Sequence, residues 1–372
     1  MGVNAKQFLS LINQIYPLQL AQQWDNTGHL IGDEDGQVRK VLLCIDLTEA
    51  VYSEAERGGF DAILCYHPVI WEGLKKVTKQ SKKPVIYKLI RNGFNVFSVH
   101  TACDAAQGGV NDKLAEAVGI EKPKILSDPI ELDSDKLWKL TVFVPKDYAA
   151  SAAEAAFKAG AGKIGNYEAC SFRTEGKGTF RPLSGAKPAM GSVDSFEEVS
   201  EIRLEAVVPE DKRRKVLEAV LKAHPYEMPA YDFVSMETLK TKYGLGRYGK
   251  LKAPATVEEV AKRIKQAAGG EVFGLIGNTK RTVETAAVCA GSCGSIFSSA
   301  IKAGCQLYIT GEMKHHEALM AQEEGLSCIC LSHSVSERFI LKSLAENLKS
   351  LNKDILAEVS KEDKDPFRWT ML

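Results

Sequence analysis

The chain has no surplus charge of either sign: 48 Lys and Arg stand against 48 Asp and Glu in 372 residues. That balance removes the electrostatic case for nucleic acid or an anionic membrane surface as partner. No apolar run approaches the ~18–20 residues that a membrane helix needs. Residues Met1 to Lys6 lack the basic start, long apolar stretch and small-residue cleavage site of a secretory signal, so a cytoplasmic protein is expected. A phosphate-binding loop is missing too. Gly244 to Gly249 spells G-x-G-x-x-G, but no apolar strand precedes it. The next helix starts only after Pro254, too late to set its N-terminus at a pyrophosphate. Nine cysteines is an odd number, and neither Cys289/Cys293 nor Cys328/Cys330 has the spacing of a structural zinc knuckle. Most lie inside apolar strands and read as small buried hydrophobes of a reducing compartment.

Histidine is scarce, at seven residues, yet five of the seven fall at or just past the end of an apolar strand. Cys328 to Leu331 runs into Ser332-His333, with Glu337 one turn into the helical pattern that follows. Gly59 to His67 has the same form, as does Gly93 to His100 with Asp104 just beyond. Gly304 to Glu312 repeats it, with His315 and His316 a turn later. Side chains at the carboxyl ends of successive parallel strands converge on one crevice, where open α/β sheets hold ligands. Imidazole and carboxylate are what a borderline divalent ion such as zinc accepts. A plainer reading exists for Glu337, since Ser334-x-x-Glu337 fits a capping box. The repetition at several strand ends favours a metal site.

The N-terminal helix is amphipathic, with Phe8, Leu11, Ile12 and Ile15 on one face. Trp24 to Gly28 reads as a folded loop. Strands at Val41–Ile45, at the segment ending in Cys65 and at Asn95–Val99 alternate with helices at Thr48–Arg57 and Pro84–Asn92, which implies parallel pairing. Helix Val110–Val118 leads into a Pro- and Asp-rich stretch, Glu121 to Asp135. The character then changes. Strands at Trp138–Val144, Ala169–Arg173, Gly178–Phe180, Glu201–Val207 and Tyr231–Met236, with helices at Pro145–Ala159 and Asp211–Ala223, suggest a ferredoxin-like unit. His224, in Ala223-His-Pro-Tyr-Glu227, reads as a helix end and turn. The α/β pattern resumes with helix Val257–Ala268 and strands near Ala286, Leu307 and Ser327. The expected fold is α/β: two halves, 1–128 and 239–372, form one metal-site core interrupted by an α+β insert at 129–238. Lys361 to Asp365 reads as a solvated charge run, and Pro366 to Leu372 as a further edge strand.

Taken together, Trp24-Asp-Asn-Thr-Gly28, Asp46-Leu-Thr48, Tyr66-His-Pro68, His100-Thr-Ala-Cys-Asp104, Thr310-Gly-Glu312 with His315-His316, and His333 with Glu337 resemble the Nif-three-like family over nearly the full length. Its bacterial members are named GTP cyclohydrolase 1 type 2 homologues. The resemblance implies a two-metal centre of zinc, or of iron. His67 and His333 would bind one ion and Asp104 the other, with Glu337 bridging. The insert resembles PII-like or CutA-like modules through Gly160-Ala-Gly162, Gly165-Asn-Tyr167 and His224 to Glu227, which implies a toroidal homohexamer and a small-molecule ligand. Two positions depart from the family's pattern: Tyr66 stands where a histidine is usual, and Ala102 where an asparagine is usual. The expected activity is metal-dependent hydrolysis, of a nucleotide ring or a phosphoester, with His315 or His316 as acid or base. The competing expectation is a non-catalytic oligomeric scaffold that senses a metal or ligand.

Overall fold

In the computed structural model, residues 2–130, 132, 135–237, 242–269 and 273–367 are described. They form two compact units, residues 1–130 with 241–372, and residues 131–240. None of the helices is long and apolar enough to cross a membrane among the described residues.

The larger unit holds two principal sheets. In the first, Leu356–Val359, Lys40–Cys44, Ala62–Cys65 and Asn95–Ser98 lie parallel in that order, and Gly28–Ile31 closes the edge antiparallel. Ala62–Cys65 and Asn95–Ser98 are buried along their whole length, as parallel strands covered on both faces must be; the first is an unbroken apolar run, and the second buries Asn95 and Ser98 at its ends. In the second, Thr282–Cys289, Leu307–Thr310 and Ser327–Cys330 are parallel. Gly274–Ile276 flanks them on one side, and Tyr243–Thr256 followed by Ile120–Ile130 on the other, all antiparallel. Each sheet thus takes an edge strand from the opposite part of the chain: Ile120–Ile130 joins the late strands and Leu356–Val359 the early ones.

That exchange amends two readings. Most of the stretch from Glu121, read only as rich in Pro and Asp, lies in the 11-residue strand Ile120–Ile130. Its prolines are tolerated because it lies at a sheet edge and its pairing shifts register. The late edge strand is Leu356–Val359, whereas Pro366 and Phe367 are not in a strand and residues 368–372 lie outside the described residues. The G-x-G-x-x-G segment is itself part of strand Tyr243–Thr256. Within it, Arg247 is buried, donates 2.8 Å bonds to the carbonyls of Gly244 and Gly246, and pairs with Asp112.

The smaller unit is one antiparallel sheet ordered Tyr231–Met236, Leu137–Pro145, Glu197–Pro209 and Phe172–Phe180, with helices Ala149–Ala159 and Arg213–Ala223. Ala152, Ala153, Ala156, Val216 and Val220 pack on Leu140, Val142 and Leu204. The two short strands expected at 169–173 and 178–180 are one, Phe172–Phe180. Its glycines do not break it because every residue pairs in register with Glu197–Glu205.

Candidate metal centre

Three strand ends assemble the site. Past Cys65 the chain bends yet stays tied to the neighbouring strand, with the N–H groups of Tyr66 and His67 donating to Cys44 and Ile45 at 2.8 and 3.0 Å. This directs His67 so that its Nδ1 lies 3.0 Å from Oδ1 of Asp46, at the end of the neighbouring strand. Its Nε2 is 3.4 Å from Oε2 of Glu337. Helix His333–Arg338 follows strand Ser327–Cys330 and sets His333 and Glu337 four residues apart on one face. Nε2 of His333 is 3.3 Å from Oε1 of Glu337, and its Nδ1 is 3.5 Å from Oε2 of Glu312. One ligand atom from each of His67, His333 and Glu337 lies within 4.8 Å of the others.

The capping-box reading of Glu337 does not hold. The residue preceding the helix is Ser332, which makes no side-chain cap, and Glu337 is 3% exposed with its carboxylate between the two imidazoles. Ser332 has φ +73° and ψ 155°, a conformation that only glycine adopts without strain, immediately before His333. Several contacts hold the helix close. Ser336 Oγ accepts from Gly291 N–H at 2.8 Å and donates to His333 O at 2.6 Å. Gly291 must be glycine: it has φ +74°, and a Cβ would lie 2.7 Å from Oε1 of Glu337.

The supposed solvated run Lys361–Asp365 is part of this support. Asp363 is buried, accepts from Ile45 N–H at 2.6 Å, and pairs with Arg338, which also donates to its carbonyl at 2.8 Å. Buried carboxylates need such partners, and the charge pattern alone could not reveal them.

Burial opposes ionisation of Glu337, but the His333 and His67 imidazoles on either side hold its carboxyl below the usual range. Burial would likewise lower the His67 pKa, yet Asp46 and then Glu337 carry it up to about 10. His333 is raised to about 9, chiefly by Glu337. The donors suit a divalent cation. Oε2 of Glu337 is buried with no hydrogen-bond partner, and Asp46 occupies Nδ1 of His67 so that Nε2 faces the carboxylate. A cation there must displace the imidazole protons, which makes uptake pH-dependent.

Asp104 is spent differently. The Tyr66 hydroxyl donates to its Oδ1, and Tyr66 is 1% exposed. Burial, then the charges of Asp104 and Glu337, push the phenol well above its usual pKa. Asp104 itself rises to about 7 through burial and the neighbouring Glu337. Beside this pair, Nδ1 of His100 lies 2.9 Å from Oδ1 of Asp25, and its ring is 5.0 Å from that of His67. Sequence reasoning assigned no role to Asp25 or Asp46. A carboxylate that orients a histidine has no pattern of its own, although both belong to short motifs already singled out. His315 and His316 begin helix His315–Glu323, exposed, with ring centroids 5.4 Å apart. Neither bonds to His67, His333 or Glu337.

The sequence matches the family Duf34/NIF3 (NGG1p interacting factor 3) over residues 3–366. It is 35% identical over 373 residues to a Bacillus subtilis protein named GTP cyclohydrolase 1 type 2 homolog, covering 99% of both chains. A protein of that name from Halalkalibacterium halodurans is 34% identical over 352 residues, 94% of both chains. The fold matches the crystal structure of a Bacillus cereus protein related to NIF3 with a TM-score of 0.82, 33% identity and full coverage of both chains. The chain belongs to the Duf34/NIF3 family.

Proposed function

We propose that this protein is a metal-dependent hydrolase whose divalent cation, zinc in the first instance and iron as the alternative, is held by His67, His333 and Glu337. The observation that carries the reading is the Glu337 carboxylate, buried between two imidazoles with one oxygen lacking a hydrogen bond. A cation bound there supplies Lewis acidity, polarising the substrate and lowering the pKa of a coordinated water. His67 is kept in one orientation by Asp46, and His333 by its place at the helix start. Asp104 Oδ1 accepts the Tyr66 hydroxyl's hydrogen bond, which keeps that carboxylate fixed beside the cluster. His315 and His316, exposed at the start of helix His315–Glu323, are the acid or base candidates. The name carried by the relatives favours the imidazole ring of a guanine nucleotide as substrate, with phosphoesters as the other class.

A non-catalytic scaffold is the second reading, favoured by the smaller unit. Its strand and helix order, β-α-β-β-α-β, supports a ferredoxin-like insert of the PII or CutA kind within a two-part α/β core. On this proposal the protein is cytoplasmic and forms a homohexamer, for which light scattering of the intact chain would give the mass of six chains. Turnover by zinc-loaded protein on nucleotides and phosphoesters, with His333→Ala as control, separates the two readings. Activity lost in the control supports catalysis, whereas equal activity in both proteins rejects it.

A further inference from the structure

The smaller unit has a cavity of its own, about 470 Å³, between strands Phe172–Phe180, Glu197–Pro209 and the segment after helix Arg213–Ala223. That volume is within the range of small-molecule sites. Phe143, Phe180, Pro182 and Met228 give it apolar walls. Among its lining residues is Glu201, a carboxylate on a residue only 9% exposed. No cationic side chain among the described residues pairs with it. The Tyr226 hydroxyl lies beside it, buried and without a well-formed hydrogen bond. Gly178 makes the room: a Cβ there would lie 2.2 Å from Oε2 of Glu201.

A buried carboxylate with no cationic partner is costly unless something pairs with it. The other polar groups nearby are already engaged. Nε2 of His224 bonds the carbonyl of Phe143 at 2.8 Å and its Nδ1 accepts from Tyr226 N–H at 3.0 Å, so this imidazole is structural. Glu227 accepts from Lys187 N–H. Arg181 and Lys187 line the cavity too, but both are exposed and screened by water, so Glu201 is the buried charge of the lining.

We infer that this cavity binds a small primary amine with an apolar body, its ammonium against Glu201 and the Tyr226 hydroxyl and its carbon skeleton along Phe143, Phe180 and Met228. The Phe180 and Tyr226 rings, 5.7 Å apart and edge to face, add a cation–π component for the same head group. This inference is independent of the metal centre, which is built from residues of the other unit.

The test is calorimetric titration of the full chain with phenethylamine and, in parallel, with 3-phenylpropionate, which keeps the body and reverses the charge. Saturable binding of the amine, at least tenfold tighter than the acid, is expected. Glu201→Gln should weaken the amine at least tenfold. Met228→Lys, at a side chain 86% exposed and so without consequence for folding, should weaken it as well by placing a competing ammonium at the mouth. Absence of amine binding, equal binding of the acid, or parental affinity in both variants would overturn the inference.

Discussion

Tyr66 donates its phenolic hydrogen bond to Asp104, one residue before the histidine that faces Glu337. A strand end makes this possible. In a regular strand Tyr66 and His67 would point to opposite faces, but past Cys65 the chain turns and both approach one cluster. A neutral phenol is a poor metal ligand, and here burial keeps it neutral.

The first prediction concerns metal stoichiometry. With Asp104 engaged by Tyr66, purified protein should hold one tightly bound zinc per chain, at His67, His333 and Glu337. Tyr66→His replaces the phenol with a nitrogen ligand and should raise the content toward two, measured by elemental analysis of untagged protein. Two tightly held ions in the parent chain would contradict this account.

Removing a ligand and removing its support should differ in degree. His333→Ala should abolish most zinc binding while the near-native circular dichroism remains, because the side chain lies in a crevice outside the packed core. Asp46→Asn leaves all three ligands and changes only what holds Nδ1 of His67. A loss of about 10–100-fold in affinity is expected. Unchanged zinc content in His333→Ala would remove the assignment.

Gly291→Ala adds one methyl group where the backbone is left-handed and the Glu337 carboxylate is in contact. The backbone alone should cost roughly 1–2 kcal/mol. The displaced carboxylate should also lower zinc content. Denaturant unfolding and metal analysis of the same preparation give the two effects, and a variant as stable and as metal-rich as the parent would refute the contact.

Glu54 anchors the segment that carries Asp363. Burial pushes its carboxyl up, but the hydroxyl of Ser360 and the N–H groups of Lys361 and Glu362 outweigh that and hold it below its usual value. A depressed folded pKa contributes stability that is present above the unfolded value of about 4.3 and lost as pH falls through the folded one. Glu54→Gln should therefore be less stable than the parent at neutral pH, by a small margin because the group is partly exposed. The gap should close in acid, as pH falls past the unfolded value and through the lower folded one. A difference in urea midpoint that stays constant from neutral to acid pH would show that Glu54 acts otherwise.

Local pattern was enough to identify the parallel strands Ala62–Cys65, Asn95–Ser98 and Ser327–Cys330, because each is the centre of a short, mainly apolar stretch that follows a glycine, as strands buried on both faces are. It was also enough to place His67, His333 and Glu337 at their ends, since a polar residue that stops such a run can only emerge at the sheet's rim. The helix limits at Val110–Val118 and Val257–Ala268 were equally legible, through glycine after one and a capping threonine before the other. What the sequence could not determine was partnership across long separations. Asp363 reads as one more surface charge until Ile45 and Arg338 are seen to surround it, 318 and 25 residues away. Ile120–Ile130 reads as a proline-rich connector until Tyr243–Thr256 pairs with it. Asp25, Asp46 and Tyr66 each owe their role to a neighbour that tertiary folding supplies. A hydrogen bond between remote residues leaves no periodicity in the chain, so only the folded structure decides whether a buried acid faces a phenol, an imidazole or a metal.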